Sequence, residues 1–255
     1  MIRCCIFDLG GTIVDKYSLS PILSLSNAFG LRRIMIPSNI LSKDMGKMKL
    51  DHIKLLCNEP VVKDKYPDLD PIDVYRDFNK FQINYMDNYL DIIPETKQCI
   101  KYLDDKSIRT GITTGFNKEQ MDIAIDKLRL DGIVLETAVS SSCIPNASRP
   151  NPDMINENMD RLNIRSPKHV IKIDDTEVGI QEGFNAGCYT VGVARWSINM
   201  NVFTYADRYI LETSNHYVDS ILYYKLEESR KKLKDAGADF VIDTLDELPK
   251  VIDGI

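Results

Sequence analysis

Asp8 ends a short apolar run, Ile6-Phe7-Asp8, and the chain behind it breaks at once into Gly10-Gly11-Thr12. That order reads as a strand tipped with a carboxylate, followed by a turn whose backbone N–H groups are free. Such a tip suits the meeting of a phosphoryl group and a divalent cation. Three later stretches offer matching chemistry. Thr113-Thr114-Gly115 supplies a hydroxyl and an N–H ahead of a predicted helix N-terminus, a seat for phosphate oxygens. Ser148-Arg149-Pro150-Asn151-Pro152 supplies a fixed cation, and Asp174-Asp175-Thr176 supplies hard oxygen ligands of the kind Mg²⁺ takes. Each stretch alone is weak evidence: a Thr-Thr-Gly is usually a turn, a surface Arg is usually solvated, and an Asp pair before a helix is often an N-cap. Their force lies in position, because each follows a predicted strand.

The elements that must position them alternate. After the Asp8 strand the pattern is helical to about residue 94. Asp70-Pro71 starts one helix well, and Val74, Phe78, Phe81, Tyr85 and Tyr89 recur along it at helical spacing. That aromatic stripe reads either as the core face of a helical bundle or as a dimer seam. From Pro94 onward helix and strand take turns: helix 95–106, strand 109–113, strand 133–139, helix 152–163, strand 169–173, helix 177–186, strand 188–193, strand 240–242 and helix 245–251. Asn117, with Gln120 three residues on, forms a capping box that opens a helix after the second strand. Gly187 stops the helix that begins at Glu177. Repeated βα units predict a parallel sheet with helices on both faces, and functional groups gathered at the strands' C-terminal ends.

The 255 residues suffice for one large domain, or for a domain carrying an inserted subdomain. A net charge of −6 argues against a nucleic-acid footprint, and no apolar stretch is long enough to span a bilayer. The N-terminus lacks the order of a signal peptide. Cys4, Cys5, Cys57, Cys99, Cys143 and Cys188 show no C-x-x-C spacing. Reduced, mostly buried thiols and a cytoplasmic setting are therefore expected.

The four strand tips, in this order, resemble the four motifs of the haloacid dehalogenase (HAD) superfamily. In its first motif, Asp-x-Asp-x-Thr, the first Asp attacks phosphorus and the second protonates a leaving oxygen. Here the second position is Gly10, which has no proton to give. Within the helical segment, Met45-Gly46-Lys47-Met48-Lys49-Leu50-Asp51-His52-Ile53 resembles the cap of the phosphonoacetaldehyde hydrolase (phosphonatase) family, whose lysine at the position of Lys49 forms a Schiff base with the substrate aldehyde. Thr113-Thr114-Gly115-Phe116, Asp174-Asp175-Thr176 with Gly183 to Gly187, and Ala236-Gly237-Ala238 extend the similarity over nearly the whole chain.

The resemblance implies a HAD-like Rossmannoid α/β core, residues 1–16 and 97–255, with an α-helical C1-type cap at 17–96. It implies Mg²⁺ on Asp8, the Gly10 carbonyl and Asp175, with Asp174 nearby, and phosphonate oxygens held by Thr114, the Gly115 N–H and Arg149. It also implies a homodimer formed through the cap. The chemistry fits the missing acid. Breaking a C–P bond expels carbon, and a protonated imine one bond away turns that leaving group into a neutral enamine. Lys49 must be neutral to attack, which calls for about 3–5 kcal/mol of differential destabilisation of its charge. On a helix Met45 and His52 flank Lys49 at i−4 and i+3, which makes Met45 an apolar neighbour in the substrate site and His52 a proton shuttle. Ser18, Phe116, Ser148 and Gly179 depart from the family's usual residues: Cys in some members, often Tyr, often Gly and often a further Asp. The stretch 194–217 matches it only loosely. Competing readings are a HAD phosphatase or phosphomutase acting on a small phosphate ester, a phosphonatase-like hydrolase of another carbonyl phosphonate, and a degenerate HAD-fold dimeric scaffold.

Overall fold

A computed structural model describes residues 1–144, 147–213 and 217–255, without the side chains of 217–219. Its centre is a six-stranded, all-parallel sheet of β1 (Cys4–Phe7), β2 (Arg109–Thr114), β3 (Thr137–Ser140), β4 (Val170–Asp174), β5 (Tyr189–Val193) and β6 (Phe240–Ile242), in the order β3-β2-β1-β4-β5-β6. The chain runs outward one way through β2 and β3 and the other way through β5 and β6. The switch between β1 and β4 opens a crevice at the strands' C-terminal ends. Register decides who meets there. Phe7 pairs with both Ile112 and Ile173, so the next residues, Asp8, Thr113 and Asp174, stand side by side.

Helices α1 (Leu19–Gly30), α2 (Ser38–Leu41), α3 (Lys49–Asn58), α4 (Pro60–Lys63) and α5 (Pro71–Tyr89) are inserted between β1 and β2. They close on their own core of Ile22, Leu25, Phe29, Ile53, Val74 and Phe78, separate from the main core under the sheet. Val74 and Phe78 are fully buried and Phe81 partly so, while Tyr85 accepts a hydrogen bond from Asn27. Burial of one such apolar side chain contributes roughly 1.5–3 kcal/mol. The stripe on α5 is thus the bundle's core face, and among its five residues Tyr89 alone is largely exposed.

The insert joins the core by two neighbouring crossings. Val14 bridges antiparallel to Ile92, Asp15 N–H donates to the Asp91 carbonyl (2.9 Å), and Ile93 N–H donates to the Ile13 carbonyl (3.0 Å). Asp15, Tyr17 and Ser18 hold left-handed φ angles of 55°, 64° and 51°, which non-glycine residues adopt only when held. The Asp15 carboxylate grips Ser20 through N–H and hydroxyl, and Tyr17 N–H donates to the Trp196 carbonyl at 2.7 Å.

Around the sheet lie α6 (Thr96–Asp105), α7 (Lys118–Leu130), α8 (Asp153–Arg161), α9 (Glu177–Ala186), α10 (Tyr205–Thr213), α11 (Tyr217–Asp235) and α12 (Leu248–Gly254). The Asn117–Gln120 capping box opens α7, and Gly187, at φ 75°, ends α9. The third strand starts four residues later than its apolar run predicts. Gly132 turns the chain at φ 75°, and Ile133 enters the core from that turn. The loosely matching stretch after β5 becomes a short 3₁₀ turn and α10; its residues 214–216 lie outside the described residues. No helix among the described residues is long and apolar enough to cross a membrane.

Candidate active site

Asp8 projects from β1 into the crevice, and its Oδ1 lies 2.8 Å from Nη1 of Arg149. The loop behind it is tight because the Thr12, Ile13 and Val14 N–H groups all turn back to the Leu9 carbonyl. Gly11 is required there: it has φ 75°, and a Cβ would sit 2.3 Å from Oδ2 of Asp175. Asp175 is fixed from the other side by Thr12 Oγ1 (3.3 Å to its Oδ1) and by Ile198 N–H (3.2 Å to its Oδ2). The Ser197 hydroxyl donates to its carbonyl at 2.6 Å. The turn after β5 therefore works as a brace for Asp175, a role its sequence did not announce.

Arg149 is aimed by a buried network. Its Nε donates to Glu182 Oε2 (2.9 Å), and its Nη2 donates to the carbonyl and hydroxyl oxygens of Thr113 (both 2.9 Å). Lys172, fully buried in β4, donates to Thr113 Oγ1 at 2.7 Å and lies 2.9 Å from Asp174 Oδ2. Sequence reasoning missed Lys172 and Glu182. The available signal was a lysine inside the apolar strand Val170-Ile171-Lys172-Ile173, which needs a buried anionic partner.

The insert lies against this crevice. A Cβ on Gly115 would fall 2.7 Å from the Gly46 carbonyl oxygen, so only a glycine lets the two backbones approach so closely. A narrow cavity of about 20 Å³ between them is lined by Asp8, Gly10, Ser18, Met45, Lys49, Thr114, Gly115, Phe116 and Arg149, with Pro21, Gly46 and Thr176 completing the wall. Asp8 from the core and Lys49 from the insert thus share one space. Lys49 is 4% exposed, and its Nζ sits 3.3 Å from Met45 Sδ and 3.5 Å from the Lys47 carbonyl. Lys49 is the first residue of α3, so Met45 reaches it from the preceding turn rather than from a helical i−4 position. His52 departs further from expectation. It is fully enclosed, its ring faces the backbone at Leu41 and Lys43, and it does not line the cavity.

Burial sets the electrostatics. It lowers the Lys49 pKa from 10.5 to about 8, although the Asp8 charge pulls the other way. Burial pushes Asp8 up to about 6 against the pull of Arg149. Asp175 is raised well above the usual carboxylate range by burial and by its neighbours Asp174 and Asp8. Asp174 is also penalised by burial, yet the charges of Lys172 and Arg149 hold it below its ordinary value. Burial and then the Lys49 charge drive His52 well below 6.5, so its ring is neutral.

Oxygen atoms of Asp8, Asp174 and Asp175 lie within 4.8 Å of one another, a cluster that fits a hard cation. Two further observations support that fit. Asp174 is fully buried yet held ionised, its Oδ2 lying 2.9 Å from the Lys172 ammonium and 3.5 Å from Arg149 Nη1, so it offers the cluster a charged oxygen. The buried carboxylates of Asp8, Asp174, Asp175 and Glu182 face two fixed cations, Arg149 and Lys172, which leaves the charge that one Mg²⁺ would balance.

A parallel sheet with a carboxylate nucleophile candidate at its switch point, an anchored arginine and an acidic cluster defines a hydrolase class that sequence comparison identifies. The haloacid dehalogenase-like hydrolase family matches residues 2–187, and the chain belongs to it. The phosphonoacetaldehyde hydrolase of Latilactobacillus sakei is 36% identical over 259 residues, covering 98% of this chain and 95% of the relative. That of Bacillus cytotoxicus is 30% identical over 263 residues, covering 100% and 96%. A crystal structure described as a phosphonoacetaldehyde hydrolase-like protein from Oleispira antarctica shares the fold with a TM-score of 0.87 at 24% identity, covering 99% of this chain and 92% of that one. Within its class this enzyme is phosphonatase-like.

Proposed function

We propose that the enzyme cleaves the C–P bond of phosphonoacetaldehyde to acetaldehyde and phosphate. The observation that carries this reading is Lys49: an amine buried enough to lose its proton near pH 8, opening on the same cavity as Asp8, with Gly10 where an ester hydrolase would need its acid. Lys49 condenses with the aldehyde. Asp8 attacks phosphorus, forming an aspartyl-phosphate as the C–P electrons pass into the iminium to give an enamine. Water then cleaves the acyl phosphate; the enamine takes a proton from solvent at its terminal carbon to become an imine, whose hydrolysis frees acetaldehyde and Lys49.

Arg149, held by Glu182 and Thr113, neutralises the phosphonate, with Thr114 and the Gly115 N–H beside it. Met45 packs its thioether against the amine at 3.3 Å. His52, neutral and walled off from the cavity, packs behind Lys49 and has no path to relay protons to the substrate. Asp8, Asp174 and Asp175, with the Gly10 carbonyl, would hold Mg²⁺, which when bound supplies a positive charge against the phosphonate oxygens. A homodimer formed through the insert completes the reading.

The test is acetaldehyde release from phosphonoacetaldehyde with Mg²⁺, together with borohydride trapping of the imine. Wild type releases acetaldehyde and is trapped at Lys49; Lys49→Arg does neither. Equal hydrolysis of an aryl phosphate by both proteins, with no acetaldehyde from either, would replace this proposal with an ester phosphatase.

A further inference from the structure

The cavity shared by Asp8 and Lys49, at about 20 Å³, has room for about one water molecule. A substrate reaches it only when the insert moves away from the sheet. The insert has a core of its own and two chain crossings, so that movement must turn on the neck at residues 13–17 and 91–95.

The stretch after β5, which matches the family only loosely, holds both crossings at once. On the first, Arg195 Nη1 donates to the Tyr17 hydroxyl, beside the bond from Tyr17 N–H to the Trp196 carbonyl. The Trp196 ring lies between two cations: the Arg195 guanidinium is 4.2 Å from its centre and Lys16 Nζ is 4.5 Å from it. Lys16 also lies 3.5 Å from Glu212 of α10. On the second crossing, Trp196 Nε1 donates to Glu95 at 3.0 Å. Arg208 of α10 takes the Asp91 carboxylate with both terminal nitrogens, at 2.7 and 3.3 Å. Beneath these polar contacts Tyr17 and Ile93 from the neck share one apolar cluster with Trp196 and Leu211. Tyr89, the last residue of α5, tilts against Tyr205 with ring centres 5.3 Å apart.

We infer that α10 and Trp196 form a clasp that holds the neck, and through it the insert, in the closed arrangement, which makes Arg208 a positioning residue for Lys49. None of the clasp residues lines the cavity, so their effect on Lys49 passes through the neck. The pair to cut is Arg208 with Asp91. Their side chains are 18% and 28% exposed, so removing one leaves no fully buried charge behind.

Acetic anhydride labelling of lysines on the substrate-free protein, mapped by mass spectrometry, tests the clasp. Lys49 is labelled when the insert opens, whereas Lys172, fully buried in β4, is labelled only when the core unfolds. Arg208→Ala should raise Lys49 labelling about fivefold, with Lys172 at its wild-type rate. Arg208→Lys, which keeps a cation opposite Asp91, should restore most of the protection. Unchanged Lys49 labelling in Arg208→Ala overturns the inference. So does a rise in step with Lys172, which marks a merely structural role, or an Arg208→Lys variant as reactive as Arg208→Ala. No substrate is present, so this outcome and that of the C–P cleavage assay are read separately.

Discussion

Replacing Lys49 with methionine should abolish imine chemistry and make the protein more stable. The amine is 4% exposed, and its surroundings lower its pKa from 10.5 to about 8. At about 1.36 kcal/mol per pKa unit, burying the charged form costs the folded state about 3 kcal/mol. The sign follows from proton counting. Between pH 8 and 10.5 the unfolded chain holds the Lys49 proton and the folded chain releases it, so wild-type stability gains on the variant as pH rises through that window. Below pH 8 the penalty is fully present. Methionine has similar length and no charge, so Lys49→Met should exceed wild type by up to about 3 kcal/mol at pH 7, narrowing toward zero by pH 10.5. Paired urea unfolding curves at pH 7, 8, 9 and 10 measure the difference, and titrating groups that do not feel the Lys49 charge cancel because both proteins share them. Asp8 and His52, which do feel it, titrate below this window. The same shift raises the neutral fraction at pH 7 from roughly 0.03% to roughly 9%, about 300-fold, and this is the catalytic return on that strain. A pH-independent difference, or a variant less stable than wild type at pH 7, would falsify the claim that Lys49 is buried at a cost.

Glu182→Gln removes the charge that holds Arg149 Nε and leaves two buried cations short of a partner. Unfolding should weaken by about 3 kcal/mol or more, and kcat should fall through misplacement of Arg149, as steady-state kinetics at saturating Mg²⁺ would read. Gly10→Asp restores a side chain where a leaving oxygen would take its proton. A Cβ there meets Ser18 Oγ at 3.3 Å and the Phe116 ring at 3.7 Å, so the change is tight but accommodated. It should raise alkyl phosphate hydrolysis by about 10²-fold while leaving acetaldehyde release no faster. Loss of both activities would show that the position matters for space and not for acid chemistry.

The parts of the site that rest on local pattern were legible. Asp8, Thr114, Arg149 and Asp175 each follow a strand, and parallel register brings strand tips together whatever the loops between them. Lys49 stood out only through its surrounding motif, since an isolated lysine in a helical stretch carries no signal of burial. Lys172 and Glu182 escaped because their meaning is tertiary: one sits mid-strand, the other on a helix face, and neither reads as functional until Thr113 and Arg149 lie between them. His52 was read from helical spacing, which gives the side of a helix but not whether that side opens on a cavity. The strand predicted from residue 133 began late because an apolar run cannot distinguish a pleated residue from one tucked in by a turn.

The paired crossings at Val14–Asp15 and Asp91–Ile93 have a bearing on ancestry. Both ends of the insert leave and return at nearly one point, through a ladder whose Ile13, Val14 and Ile92 pack with the main core and not with the insert's own. A lineage could exchange the whole helical segment at that neck without disturbing the pairing of a single strand. Phosphorus chemistry at the strand tips and the carbonyl chemistry proposed for Lys49 would then be inherited as separate cassettes. A chemist seeking a new leaving group would have reason to graft at the neck rather than rebuild the sheet.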